Sequence, residues 1–124
     1  MVKAAHFPAR AVIEAYGDGG FRFAGMSHKG SLLITASGIY GWDVSEAGSI
    51  DLPSIQAVLD DAGRVDHLIV GTGASRAAID PAIGAALSKA RIGIEIMDTG
   101  AAARTYNILF AENRDVAAAL IAVG

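Results

Sequence analysis

The stretch from Arg91 to Gly124 constrains the chain most. It reads R-I-G-I-E-I-M-D-T-G-A-A-A-R-T-Y-N-I-L-F-A-E-N-R-D-V-A-A-A-L-I-A-V-G. An apolar strand, Ile92 to Met97, runs into a Thr-Gly corner and then into a helix carrying Arg104 and Asn107. Val116, Leu120 and Val123 recur in helical phase, so the spacing predicts a second, apolar helix after the polar bend Glu112-Asn113-Arg114-Asp115. Ala117, Ala118 and Ala119 would let a neighbouring element approach closely. With no charge after Asp115, this helix is either deeply buried or shared with another subunit, which leaves a homo-oligomer open. Polar groups inside such an apolar unit need partners, because burying one without a partner costs roughly 2–7 kcal/mol.

Upstream the chain divides in character. Residues 10–16 and 20–24 flank Gly17-Asp18-Gly19-Gly20, a hairpin signal. Phe21 and Phe23 fall on one face of that hairpin and Arg22 on the other. Ser31 to Ala36 and Ile39 to Val44 read as two further strands around the Ser37-Gly38 corner. Beyond them helix and strand alternate. Ile55, Val58, Leu59 and Ala62 form a helical stripe between Pro53 and Gly63. Val65 to Val70 is a near-continuous apolar run suited to an interior parallel strand. Asp80-Pro81 opens a helix, with Asp as N-cap and Pro in the first turn, and Ile83, Leu87 and Ala90 line one side of it. Strands linked through helices imply crossovers in a mostly parallel sheet. Residues 1–124 read as one domain, a size that a single core serves well.

Composition excludes several functions. The chain is 52% hydrophobic but only 6% aromatic, so its core is built mostly from Ala, Ile, Leu and Val. A formal net charge of -3 argues against a sequence-independent nucleic-acid binder, which needs a cationic footprint. There is no cysteine, so thiol catalysis, disulfides and thiolate metal sites are absent. The start, M-V-K-A-A-H-F-P-A-R, lacks the apolar core of a secretory signal. The longest apolar run, Val116 to Val123, is far short of the about 20 residues a spanning helix needs. The expectation is a soluble, cytoplasmic protein with no membrane span.

Four motifs in this order and spacing resemble the Mth-domain family of small proteins of unknown function: Y-G-W-D at 40–43, L-I-V-G-T-G at 68–73, G-I-E-I-M-D-T at 93–99, and A-A-x-R-T-Y-N-x-L at 101–109 followed by E-N-R at 112–114. The resemblance covers essentially the whole chain and is strongest from Asp66 onward. It implies an α/β fold of three layers, with a central mixed β-sheet, flanking helices and a small extra β layer from the N-terminal hairpin region. It implies no established enzymatic activity. The family includes a mitochondrial respiratory complex I assembly factor, for which it implies a protein-binding role in building a membrane complex, and an adipogenesis-associated cytosolic protein.

The residues themselves offer two candidate sites. Gly71-Thr72-Gly73 follows a strand, as a dinucleotide loop does. However, the third glycine position holds Arg76, and the helix start at Asp80-Pro81 lies too far downstream for the pyrophosphate to meet its amides. A small anion is the alternative occupant. It would be held beyond the strand ends by Gly71, Thr72, Gly73, Thr99 (as a helix cap), Arg104 and Asn107. Against that stands internal pairing: Arg104 with Glu95, Asp98 or Glu112, and Asn107 with loop carbonyls. The second candidate is a protein-binding patch at Trp42 and Asp43, since tryptophan is enriched at binding hot spots. Trp42 could equally be a lid over the core.

Catalytic sets are missing. In Gly25-Met26-Ser27-His28-Lys29-Gly30, adjacent Ser and His point apart, and the segment reads as a turn into the next strand. His6, His28 and His67 show no metal-ligand spacing, and no cofactor is called for. The functional expectation is a non-enzymatic binding protein, an assembly or accessory factor contacting another protein. The alternative is a small-anion or small-molecule domain at the strand ends, which leaves an uncharacterised enzyme at that place open.

Overall fold

A computed structural model describes residues 6–124. The statement that the N-terminal stretch lacks a secretory signal rests partly on residues 1–5, which lie outside the described residues.

The first layer is an antiparallel sheet of β1 (Ile13–Gly17), β2 (Gly20–Phe23) and β3 (Met26–Lys29). Both of its connections are two-residue turns whose central residues have positive φ, Asp18-Gly19 (52° and 78°) and Ala24-Gly25 (49° and 73°). This backbone matches the twist of the flanking strands. The first turn was legible as Gly/Asp punctuation. The second, with an alanine in the left-handed region, was not, and 26–29 proves to be a strand where the sequence suggested a turn. Phe21 and Phe23 face inward and Arg22 outward, as the alternation requires.

The middle layer is a five-stranded sheet in the order β5-β4-β8-β6-β7, formed by β4 (Ser31–Thr35), β5 (Gly38–Trp42), β6 (His67–Gly71), β7 (Gly93–Met97) and β8 (Val116–Leu120). β6 runs parallel to both β7 and β8, whereas β4 pairs antiparallel with both β5 and β8. The sheet is therefore mixed. Among the described residues three α-helices accompany it: α1 (Gln56–Asp60, preceded by a 3-10 turn at Pro53–Ile55), α2 (Pro81–Lys89) and α3 (Thr99–Ala111). Asp80 caps α2 by accepting from the Ala82 amide at 2.9 Å.

Alternation along the strands sends side chains to two cores. Leu33, Leu68, Val70, Ala117 and Ala119 pack against Val58 of α1 and Ile83 and Leu87 of α2. Leu32, Ile34, Ile69, Val116, Ala118 and Leu120 pack with Ala102, Ala103 and Tyr106 of α3 and with Ile13, Phe21 and Phe23 of the small sheet. The layers are thus α1 and α2, then the mixed sheet, then α3 beside the extra β layer. This is the α/β fold that the resemblance implied.

The clearest departure is at the C-terminus. Val116–Leu120 is the central strand of the large sheet, not a helix, and all five residues are buried. Ala118 pairs with Ile34 on one side and Ile69 on the other. Alanine is a strong helix former, but a slot between two strands and between helices on both faces of the sheet selects small side chains first.

Candidate functional site

The strand-end region is built where β6 leaves the sheet. Gly71 has no room for a side chain: a Cβ there would stand 2.9 Å from both Thr99 Cα and Thr99 Oγ1. Its role is to let α3 approach the strand closely. Gly73 has a φ of 103°, a left-handed turn that glycine adopts without strain. Between them the Thr72 amide donates to the Met97 carbonyl at 2.9 Å. The Thr72 hydroxyl donates to the Ser75 carbonyl at 2.8 Å and accepts from the Ala77 amide at 3.0 Å, which pins the following loop.

Thr99 is fully buried and ties three elements together. Its Oγ1 accepts from the Gly73 amide at 2.9 Å and donates to the Ile121 carbonyl at 2.7 Å. Its own amide donates to the Gly73 carbonyl, and the Ile121 amide donates to the Gly71 carbonyl, each at 2.9 Å. The side chain that caps α3 is Asp98, not Thr99: its carboxylate accepts from the Ala101 amide at 3.0 Å, so the first turn already holds an anionic group.

Gly71, Thr72, Gly73 and Thr99 therefore come together, but Arg104 and Asn107 do not join them. Asn107 clamps the small sheet to α3. Its Oδ1 accepts from the Ile13 amide at 2.8 Å and its Nδ2 donates to the Ile13 carbonyl at 2.9 Å. Arg104 is exposed and makes no hydrogen bond or ion pair among the described residues. Glu95, one of its expected partners, lies instead 3.2 Å from His67 Nε2. The His67 ring folds over Gly93, where a Cβ would stand 2.9 Å from Nδ1.

Beside Asn107, Tyr106 is buried and donates its hydroxyl to the Ala11 carbonyl at 2.8 Å. Its ring stacks on Phe110 with centroids 5.8 Å apart, and the Arg10 guanidinium lies 5.4 Å from the centre of the Phe110 ring. Arg10 also donates to the carbonyls of Arg114 and Val116. Burial raises the Tyr106 pKa well above the usual phenol value, and the nearby Arg10 charge only partly opposes this. The folded state thus holds this proton more tightly than the unfolded chain does. The resulting stability is complete below the unfolded pKa of about 10 and is lost as pH rises from there toward the folded value. Denaturant titrations at pH 9 to 11.5 should show stability falling by up to about 1.4 kcal/mol per pH unit, and Tyr106→Phe should remove most of that slope. An unchanged slope in the variant would remove Tyr106 as its source.

A concavity lies elsewhere. A cleft of about 570 Å³ opens between β5 and α1. Leu33, Trp42, Val44, Pro53 and Ala57 give it an apolar body, and Tyr40 and Gly41 contribute from β5. Trp42 is 7% exposed, so it is a wall of this cleft rather than a projecting anchor, and its Nε1 donates to the Ser54 carbonyl at 2.8 Å. Ser54 is locked to Asp51 by reciprocal bonds, the Ser54 amide donating to Asp51 Oδ1 at 2.9 Å and the Asp51 amide to Ser54 Oγ at 3.1 Å.

Among the described residues, three carboxylates line the same cleft, Asp43, Asp60 and Asp61, and no lysine or arginine does. Asp60 accepts from Gln56 Nε2 at 2.9 Å, one helical turn away. Asp61 is buried, yet its nearest partners are distant: Ser37 Oγ at 3.5 Å and Arg64 Nη1 at 3.7 Å. Ser37 also lies 3.0 Å from Thr35 Oγ1 and 3.3 Å from the Tyr40 hydroxyl, which makes a hydroxyl chain at that end of the cleft. The sequence reading picked out Trp42 and Asp43 but passed over Asp60 and Asp61. The adjacent acid pair just past the helical stripe was the available signal.

Ser27 and His28 have separate partners in β3. Ser27 Oγ accepts from Arg22 Nη1 at 3.3 Å, while His28 Nε2 lies 3.1 Å from the Ser31 carbonyl. Among the described residues no helix is long and apolar enough to cross a membrane.

A three-layer α/β domain with a tied strand-end joint and an acidic, aromatic cleft is the class that this geometry defines. The chain belongs to the family described as protein of unknown function (DUF498/DUF598), which matches residues 13–121. It is 39% identical over 93% of its length to an uncharacterized protein of Rhodobacter capsulatus, covering 87% of that protein. It is 33% identical over 88% of its length to NADH dehydrogenase [ubiquinone] 1 alpha subcomplex assembly factor 3 of Xenopus tropicalis, and spans only 60% of that factor. Among solved structures, a Bartonella henselae protein described as an outer membrane protein has a TM-score of 0.93 at 45% identity, covering 96% of this chain and 100% of that one. A Bordetella pertussis protein described as a Mth938-like domain has a TM-score of 0.79 at 28% identity, covering 98% of this chain and 92% of that one.

Proposed function

We propose that this protein is a non-enzymatic binding protein that acts as an assembly or accessory factor for a respiratory membrane complex. The observation that carries this reading is the likeness, over 88% of the chain, to an assembly factor of NADH dehydrogenase. The site geometry agrees with it. The polar groups of the strand-end joint spend their hydrogen bonds on one another, while the cleft beside β5 combines apolar and aromatic surface with hydrogen-bonding groups, a combination that protein interfaces use.

The test is genetic and biochemical. A strain lacking this protein should show less mature NADH dehydrogenase on native gels and an accumulation of partly assembled forms, and the full-length wild-type chain should restore it. Normal assembly in the deletion strain, across growth conditions that demand respiration, would defeat the reading.

A further inference from the structure

We propose that the cleft between β5 and α1 receives a lysine or arginine side chain presented by an extended basic segment of a protein partner. The inference deepens the assembly-factor reading and rests on it for the existence of a protein client, though not for the chemistry of the cleft.

Three observations converge. The first is shape and lining. About 570 Å³ is room for one long side chain and its flanking backbone, and the walls of Leu33, Trp42 and Ala57 suit an aliphatic stem. Long basic side chains bury such stems along apolar surface while their charged heads seek polar partners. The second is charge. Among the described residues, every carboxyl or basic side chain lining the cleft is a carboxylate, and the whole chain is acidic with a net charge of -3. An opposite charge on the partner would be steered here and held in one register.

The third is the state of Asp61. A carboxylate has acceptor sites for about four hydrogen bonds. Asp61 is 8% exposed, and among the described residues its carboxylate's only partners are the Ser37 hydroxyl at 3.5 Å and the exposed Arg64 at 3.7 Å. Both lie beyond the 2.7–2.9 Å of a good charge-assisted bond. A buried carboxylate held this loosely, at the end of a cleft with an apolar body, is arranged for a donor arriving from outside. Tyr40 stands beside it through Ser37 and offers an aromatic ring that a cation can also use.

The experiment titrates the full-length, isotope-labelled protein with an acetylated, amidated peptide alternating alanine and arginine, and with its citrulline counterpart, which keeps the shape and loses the charge. Amide shifts should move at residues 37–44 and 53–61 with the arginine peptide and stay still with citrulline. Asp61→Asn should weaken binding about thirtyfold or more, as expected for the loss of one partner from a desolvated charge pair, and Asp60→Asn by less. Ala57→Arg, which supplies the cation from the protein itself, should abolish binding while the amide spectrum remains dispersed.

Equal binding to wild type and Asp61→Asn, equal binding of the citrulline peptide, or shifts centred on another acidic face would overturn the proposal. So would agmatine binding as tightly as the peptide, which would mark a small-amine site. The same variants separate this idea from the assembly reading. If Asp61→Asn and Ala57→Arg both restore the deletion strain fully, the assembly role survives and the cleft proposal falls. If deletion has no effect on assembly, the peptide titration still decides the cleft.

Discussion

Thr99→Val should be about 4 kcal/mol less stable than wild type, with a Tm lower by an amount on the order of 10–15 °C. The substitution preserves volume and branching and removes one hydroxyl. That hydroxyl accepts from the Gly73 amide and donates to the Ile121 carbonyl, and both bonds are buried. Leaving two buried backbone groups unpaired costs about 1–3 kcal/mol each, far more than the net worth of two exchanged hydrogen bonds. Thr99→Ser keeps the hydroxyl and loses only a methyl group, so it should cost about 1 kcal/mol. Chemical denaturation of both variants, with hydrogen exchange at the Gly73 amide, is the measurement. Valine and serine variants of equal stability, with the Gly73 amide still protected, would show that the joint is held by other means.

That joint also shows what the chain made legible and what it did not. Gly71, Thr72, Gly73 and Thr99 were readable as a group because glycines and a threonine at strand ends are the residues that close approach requires. The same residue types serve ligand amides and internal packing, and only the Thr99 hydroxyl's two backbone partners, one of them just beyond β8, distinguish the uses. Asn107 and Arg104 share a helix, so sequence spacing placed them together. The small sheet, arriving from nearly a hundred residues away, takes Asn107 and leaves Arg104 in solvent. Trp42 stood out as the sole tryptophan, but its burial comes from a core it shares with Ile55 and Val58 and from its bond to the Ser54 carbonyl. Asp61 gained its meaning only when burial took water away from it.

The same logic applies to the fold. Strong local chemistry was transparent: the Gly/Asp turn of the first hairpin, the Asp80-Pro81 helix start, and the alternation in β2. Elements fixed by their neighbours were not. Five residues, V-A-A-A-L, satisfy a helical phase and a buried strand equally, and a short apolar run cannot be assigned by period alone. The helical phase of Val116, Leu120 and Val123 suggested a helix, and pairing with β4 and β6 makes a strand of it. The positive φ of Asn113, 61°, breaks the helical path ahead of it.

The central placement of β8 leads to a second large effect. Ala118→Leu should destabilise the protein by about 3 kcal/mol, the upper part of the usual range for overpacking a core. Ala118 is fully buried, is registered against Ile34 and Ile69, and shares its core cluster with Ala102, Ala103 and Tyr106 of α3. Three added carbons must displace either the helix or the strand. The strand is hydrogen-bonded on both sides, and the helix is tied at its first turn through Thr99, so neither yields cheaply. Ala122→Leu is the matched control. It adds the same carbons just beyond the strand, at a half-buried position on the edge of that core, and should change stability by about 1 kcal/mol or less. Urea midpoints with a common m-value would measure the difference. If the two variants unfold together, β8 has slack that its burial does not reveal, and the small side chain of Ala118 is not what lets α3 lie so close to the sheet.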